Sequence, residues 1–338
     1  RRNHDRIEIR QPARTRDVID AGGPVGLISN PRSGHNRDQF PRIRQRIEKC
    51  PAIRHIVTES PEDIAPALQQ FARDGIRVLA INGGDGTASA ILGQLLESGE
   101  FESLPVIALL PGGTANMNAG DIGIKGSLPR ATERFCRWCE GERDTAGRLA
   151  RRSLMRLAMA PGAPPQFGMF LGAGAIIQGT EYAHEEVHAR GLRDDFSLAL
   201  TTARTVWGIL RDNPRFNQHV TIRLRRDEEE PVQYDALIVA VSTLQRLAFG
   251  MRPFWGRGPG GLRITVIEQR SSRFARTFFS IVRGRPNRNA VPASGYFSHN
   301  AQALELRLDG KLNLDGEILE PTGPVTISAS EELAFLQL

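Results

Sequence analysis

The chain has 338 residues, which at roughly 150 residues per domain predicts about two domains, each able to bury a core without disulfides. Hydrophobic residues make up 40% and charged residues 24%, and no stretch approaches the roughly 18 uninterrupted apolar residues of a spanning helix, so an integral helical membrane protein is excluded. Forty-four basic against 38 acidic residues leave +6, carried almost entirely by arginine, since the lysines are Lys49, Lys125 and Lys311; nucleotides, phospholipid surfaces and nucleic acid all suit that surplus.

Residues 1–22 are polar, Arg-rich and aperiodic, which predicts a flexible basic arm without the apolar core of a secretory signal. The absence of that signal and the three cysteines predict a cytoplasmic protein. From Gly23 the pattern is regular. The strand-like PVGLIS precedes a helix over 38–50, the strand RHIVTE, and a helix over 61–73 whose Ile64, Ala67, Leu68 and Phe71 recur at helical spacing. The buried-strand run RVLAIN, the helix ASAILGQLLES, the strand LPVIALL and a helix start at TANMNAG follow. Strands alternating with helices over 23–148 predict a parallel sheet covered on both faces.

Over 149–321 the texture changes to short alternating segments (SLMRLAMA, HVTIRLRR, YDALIVAVS, LRITVI) separated by turns, which predicts an antiparallel β-rich second domain. Helical interludes are expected at 196–211 and 272–283. The segment 322–338 reads as two strands, one of which could pack back on the first domain.

Three strands of the first domain run into small glycine-containing turns: LISNPRSGHN, LAINGGDGTAS and LLPGGTANMN. At the carboxyl ends of parallel strands such turns let the backbone approach an anion, and the following helix N-terminus supplies unpaired amides. Three in phase predict a polyphosphate crevice. The P-loop signature G-x-x-x-x-G-K-[ST] is absent, and the nearest approach to G-x-G-x-x-G ends at Ser89. Asp85, set among phosphate-cradling amides, would repel phosphate unless a divalent cation or a protonated substrate group lay between, which favours phosphoryl transfer over hydride transfer.

NPRSG at 30–34, GGDGT at 83–87, PGGTANMNA at 111–119 and the distant LNLDGEI at 312–318 together resemble the diacylglycerol kinase catalytic family, which includes sphingosine, ceramide and bacterial lipid kinases. The resemblance spans roughly residues 24–338 and implies an ATP- and Mg²⁺-dependent lipid kinase. Its α/β nucleotide-binding domain, like that of NAD kinases and phosphofructokinases, would be joined to a β-sandwich that holds the lipid. Carried over by position, Asn30, Ser33 and Gly34 line the nucleotide, Gly83, Gly84, Gly86 and Thr87 cradle phosphate, and Gly113, Thr114 and Asn116 complete the pocket. Asp85, Asp315 and Glu317 are the implied catalytic and metal-binding carboxylates. We assign Asp85 as the base, with Asp315 and Glu317 in the metal network; the reverse assignment stays open.

The sequence departs from that pattern in several places. Met117 and Ala90 stand where acids are expected, and Gly260 and Arg263 stand where many relatives have an acidic structural-metal segment, so that metal is expected to be absent. The loss at Met117, shared with sphingoid-base and ceramide kinases, leaves a sphingoid lipid or ceramide beside diacylglycerol as the acceptor.

Three other motifs compete. His184-Glu185-x-x-His188 has the spacing of a zinc hydrolase, although its segment ends at Gly191 and no third ligand is evident nearby. Cys136 and Cys139, late in a helix and without a second pair, read as buried thiols. The stretch 270–288 puts Phe274, Phe278, Ile281 and Val282 on one helix face and Arg273, Arg276 and Arg283 elsewhere. It could touch anionic membrane, but packing of the aromatics with solvated arginines is the preferred reading. Dispersed arginines without interleaved aromatics argue against nucleic acid. The expected partners are therefore a lipid substrate and, transiently, an anionic membrane surface, with homodimer formation left open. Alternatives to a lipid kinase are a soluble small-molecule kinase on the same scaffold, the zinc hydrolase, and a non-catalytic nucleotide- or lipid-binding relative.

Overall fold

The computed structural model describes residues 24–113, 116–142, 147–190, 208 and 218–338, with residues 183, 184 and 186–190 described by backbone alone. The basic arm and the helix expected over 196–211 lie outside the described residues.

The first sheet begins with β1 (Val25–Ser29), α1 (Asn36–Glu48), β2 (Ile53–Val57), α2 (Ile64–Arg73), β3 (Val78–Gly83), α3 (Asp85–Ser98), β4 (Val106–Pro111), α4 (Met117–Ile122), α5 (Leu128–Cys139) and β5 (Arg148–Arg152). Its strands β1, β3 and β4 are buried on both faces, as their continuous apolar runs require. On one face Leu27, Ala80 and Ala108 pack with Ile43 and Ile47 of α1 and Phe135 of α5. On the other, Ile28, Ile81 and Ile107 pack with Phe71 of α2, Leu92 of α3 and Ile122 of α4.

The antiparallel domain comprises β6 (Met155–Ala158), β7 (Gln166–Gly168), β8 (Phe170–Gly174), α6 (Ala175–Arg190), β9 (Val220–Arg226), β10 (Val232–Ser242), β11 (Leu262–Glu268), α7 (Phe274–Val282), β12 (Tyr296–Ala301), β13 (Ala303–Leu308), β14 (Leu312–Leu314), β15 (Glu317–Leu319) and β16 (Val325–Ala329). The strand β10 links two parts of the sheet. Val232–Ala236 pair with β9, Ile238–Ser242 pair with β8, and a register shift between Ala236 and Ile238 on the β11 edge marks the change. Side chains from both parts, including Leu171, Val241, Leu304 and Ile327, share one buried cluster.

The final strand, β17 (Leu333–Gln337), returns to the first sheet, whose order is β2-β1-β3-β4-β17-β5, with β17 parallel to β4 and antiparallel to β5. The change of sheet therefore falls between Arg152 and Met155 on the way out and between Ala329 and Leu333 on the way back. Residues 149–152, placed with the second domain by a boundary drawn at the change of texture near residue 148, pair instead with β17, and 325–329 pair within the second sheet. β5 joins the first sheet as an antiparallel edge strand, and the local texture of a strand does not say which sheet it pairs with. Among the described residues no helix is long and apolar enough to cross a membrane.

Candidate active site

In the first sheet β1 lies between β2 and β3, so successive connections leave β1 in opposite directions. Such a switch point opens a crevice beyond the carboxyl ends of the strands. The turn after β1 is fastened there: the Asn30 amide donates to the carbonyl of Asn82 at 2.9 Å, and Asn30 Nδ2 donates to Thr87 Oγ1 at 3.0 Å. The Gly84 amide donates to Ser33 Oγ at 3.3 Å, which joins the first turn to the second. In the third turn, Asn116 closes a tight loop by accepting from the Gly113 amide at 2.8 Å and donating to its carbonyl at 2.6 Å. Gly113 lies so close to Gly84 that a Cβ on it would stand 2.4 Å from the Gly84 Cα. The three turns predicted to form a phosphate crevice are thus adjacent, with Asn30, Ser33, Gly34, Gly83, Gly84, Gly86, Thr87, Gly113 and Asn116 among them; Thr114 lies outside the described residues.

Under these turns lies a polar platform. The fully buried Asn36 and Asn82 exchange amide hydrogen bonds of 2.8 and 3.0 Å; Asn82 also donates to Ser29 Oγ at 3.2 Å and Asn36 to the Asn30 carbonyl at 3.1 Å. His55 Nε2 meets Ser29 Oγ at 2.8 Å. Burial, with Arg44 adding, pushes the His55 imidazolium down to about 4, so the ring is neutral at neutral pH.

Asp85 opens α3, and its half-buried carboxylate points at α4: Oδ2 accepts from the Met117 amide and Oδ1 from the Asn118 amide, both at 2.9 Å. It therefore caps a helix distant in sequence. Met117, the expected-acid position, contributes a backbone amide to this cap. Asp315 approaches from the second domain in a left-handed turn at φ 48°. Its carboxylate accepts from Ser89 Oγ at 2.5 Å, from the Phe170 amide at 2.9 Å and from the Met169 amide at 3.1 Å. Desolvation is the main force on both carboxylates and raises their proton affinity. For Asp315 the charge of Asp85 adds to it, and the group is pushed up to about 7 despite its three donors.

Asp315 lines a cavity of about 390 Å³ together with Gly86, Ser89, Ala90, Phe167 and Glu317. Ala90 thus faces the space an acid would occupy in the expected pattern. Glu317 is exposed at this cavity. Among the described residues no three His, Cys, Asp or Glu side chains are gathered closely enough to hold a metal by themselves, so the implied Asp85, Asp315 and Glu317 set does not form a closed metal site. The pair still fits a cation delivered with a nucleotide. Neither aspartate has an arginine or lysine among its partners, and carboxylate oxygens that accept one amide bond keep a further lone pair. Mg²⁺ is commonly held by one or two carboxylates plus substrate phosphates.

Sequence reasoning missed Ser89, Asn36, Asn82 and Asn118. Ser89 follows Asp85 by four residues, on the same helix face, a relation visible once the helix starts at Asp85 instead of Ala88. Asn118 is buried with neither side-chain polar atom hydrogen-bonded. The two histidine side chains of His184-Glu185-x-x-His188 lie outside the described residues, although the backbone there is helical in α6. Cys50, Cys136 and Cys139 are buried free thiols, with Cys50 hydrogen-bonded to Cys139. Arg263, at the second expected-acid position, is half-buried beside Arg152 and Asp121, and burial lowers its pKa.

The family model of the diacylglycerol kinase catalytic domain matches residues 24–146. The lipid kinase YegS of Escherichia coli strain K12 is 30% identical over 105 residues, 31% of this chain and 35% of that protein, so the match spans about a third of the curated relative. A crystal structure of a Bacillus anthracis diacylglycerol kinase superposes with a TM-score of 0.59 at 16% identity, covering 92% of this chain and 96% of its own; a second chain from that organism gives 0.62 at 16% identity, covering 93% and 97%. At those identities the structural likeness speaks for the fold alone. Residues 24–146, with their three fastened turns and Asp85, match the diacylglycerol kinase catalytic domain, and together with the antiparallel domain they have the fold of those solved bacterial structures.

Proposed function

We propose that this protein is a lipid kinase that transfers the γ-phosphate of ATP to a lipid hydroxyl, with diacylglycerol or a sphingoid lipid such as ceramide as acceptor. The observation that carries the reading is the pairing of Asp85 and Asp315 across the domain junction, beside the three turns and with Asp315 opening on a cavity. A lipid hydroxyl is a weak nucleophile, and a carboxylate whose pKa lies near neutrality is suited to take its proton. The geometry favours Asp315 for this role: it lines the cavity, whereas both Asp85 oxygens are engaged by amides of α4. The hydroxyl proton passes to Asp315 as the lipid oxygen bonds to the γ-phosphorus and the bond to ADP breaks. Mg²⁺, bound with ATP, would neutralise developing charge on the phosphoryl oxygens, with Asp85 as the residue to hold it and Glu317 at the cavity, which leaves Asp315 to take the proton. The first turn of α3, at Gly86 and Thr87, would offer helix N-terminal amides to the phosphates. In the cell the protein would work in the cytoplasm, at the membrane that holds its substrate.

The test is transfer of labelled γ-phosphate from Mg-ATP to diacylglycerol, ceramide, sphingosine and monoacylglycerol in mixed micelles. Asp315→Asn is expected to lose about 10²- to 10⁴-fold in turnover while still binding nucleotide. No transfer to any lipid despite ATP binding, or full turnover in the variant, would overturn the assignment.

A further inference from the structure

Between residues 246 and 295 the chain has ten arginines and one acid, Glu268, a local charge of +9 against +6 for the whole chain. Every one of these arginines except Arg263 is exposed, and none of the exposed ones forms an ion pair among the described residues. Elsewhere the surface arginines are commonly paired, as Arg44 is with Glu48, Arg156 with Glu97 and Arg225 with Glu305. Ordinary solvation of a mixed-charge surface does not produce so one-sided a segment.

Large apolar side chains stand exposed in the same segment: Phe249 at 54%, Phe279 at 45% and Val291 at 40%. Backbone and side-chain bonds bring their elements together. The Arg252 amide donates to the Val282 carbonyl at 2.8 Å, and the Asn287 amide donates to Ser280 Oγ at 3.1 Å, so the turn at 248–250, α7 and the loop at 284–295 adjoin. The inner face of α7 is satisfied by Ile281, Phe274 and Phe278, which pack on the second domain, as the sequence reading preferred. Its outer face presents Arg276, Phe279 and Arg283 at i, i+3 and i+7, a stripe the packing does not use. Phe249 is held outward in a left-handed conformation, φ 57° and ψ 22°, uncommon for a bulky side chain.

We infer that the turn at 248–250, the outer face of α7 and the loop at 284–295 form a docking surface for an anionic lipid bilayer. The arginines meet the headgroups, and Phe249, Phe279 and Val291 enter the boundary beneath them, as in interfacial amphipathic helices. The apolar side chains separate this from a nucleic-acid surface, since they have no partner on a phosphodiester backbone. The turn carrying Phe249 packs on α4, the helix whose first two amides hold Asp85, so a docked molecule has its carboxylate pair close behind the bilayer contact.

The test is sedimentation of the full chain, without ATP, with phosphatidylcholine vesicles containing or lacking phosphatidylglycerol, and therefore reads binding whether or not the kinase reading holds. Wild type is expected to bind only the anionic vesicles and to be released by salt. Arg276→Glu/Arg283→Glu/Arg288→Glu is expected to weaken binding by about a hundredfold, and Phe249→Ser/Phe279→Ser by about tenfold, with thermal midpoints near that of wild type. No binding of wild type to anionic vesicles, unchanged binding in either variant, or retention on duplex DNA in place of vesicles would overturn the inference.

Discussion

At Asp315 the native structure keeps a carboxyl group where ionisation is costly, and the sign of the effect on stability can be worked out. Its ordinary value is 3.8 and burial, with Asp85, pushes it to about 7. Below about pH 4 folded and unfolded chains are both protonated there, so nothing is gained or lost. Between about 4 and 7 the folded state holds a proton that the unfolded state releases, and stability falls as pH rises; above 7 the whole penalty is present. Asp315→Asn should therefore raise the thermal midpoint at pH 8 and leave it unchanged near pH 4, a comparison made by circular dichroism. The platform under the turns is equally exacting. A Cβ on Gly112 would stand 2.5 Å from Asn82 Oδ1 and 2.7 Å from Asn36 Nδ2, whereas one on Gly86 meets nothing within 4 Å. Gly112→Ala is expected to cost about 1–3 kcal/mol in urea unfolding. Gly86→Ala should unfold like wild type, so any loss of phosphate transfer in that variant would report a ligand lying against residue 86.

At the level of elements, the first sheet is completed from the far end of the chain. The strand β17 lies between β4 and β5, with Phe335 and Leu336 fully buried on opposite faces of the sheet. Phe335→Ala is expected to destabilise the protein by about 3–5 kcal/mol, measured by chemical denaturation, because the cavity would open among residues shared by several elements. The elements of the first domain were legible before the structure, because buried parallel strands and amphipathic helices differ in apolar period. The start of α3 was misplaced by three residues, since GGDGT looks like an open turn in sequence while Asp85, Gly86 and Thr87 already belong to the helix. That shift is what concealed Ser89 as the partner of Asp315.

In the whole molecule the two sheets share a core. Met169, Phe170, Ala240 and Leu244 from the antiparallel domain pack in one buried cluster with Leu92, Ala119 and Ile122 from the first. Nearby, Arg152 Nε stands 3.5 Å from Asp121 Oδ2, with Asp121 only 3% exposed. The two chain crossings are tied to each other, since the Ser330 amide donates to the Leu154 carbonyl at 2.8 Å and the Leu154 amide donates to Ser330 Oγ at 2.9 Å. Calorimetry is therefore expected to give one unfolding transition for both domains, and two well-separated transitions would contradict a common core.

Taken alone, the sequence determined the glycine turns at the ends of parallel strands, the change to antiparallel texture, and the motifs GGDGT and LNLDGEI. These are local properties, set by backbone freedom and by the period of apolar side chains. It placed Asp85 and Asp315 in one site only through family resemblance, because 230 residues separate them and no local rule measures that distance. The tertiary structure decided what each carboxylate touches. It gave Asp85 the amides of α4 to hold and left Asp315 facing a cavity with its proton affinity raised. It also brought the turn at 248–250, the end of α7 and the loop after it together, which their separation in sequence does not show.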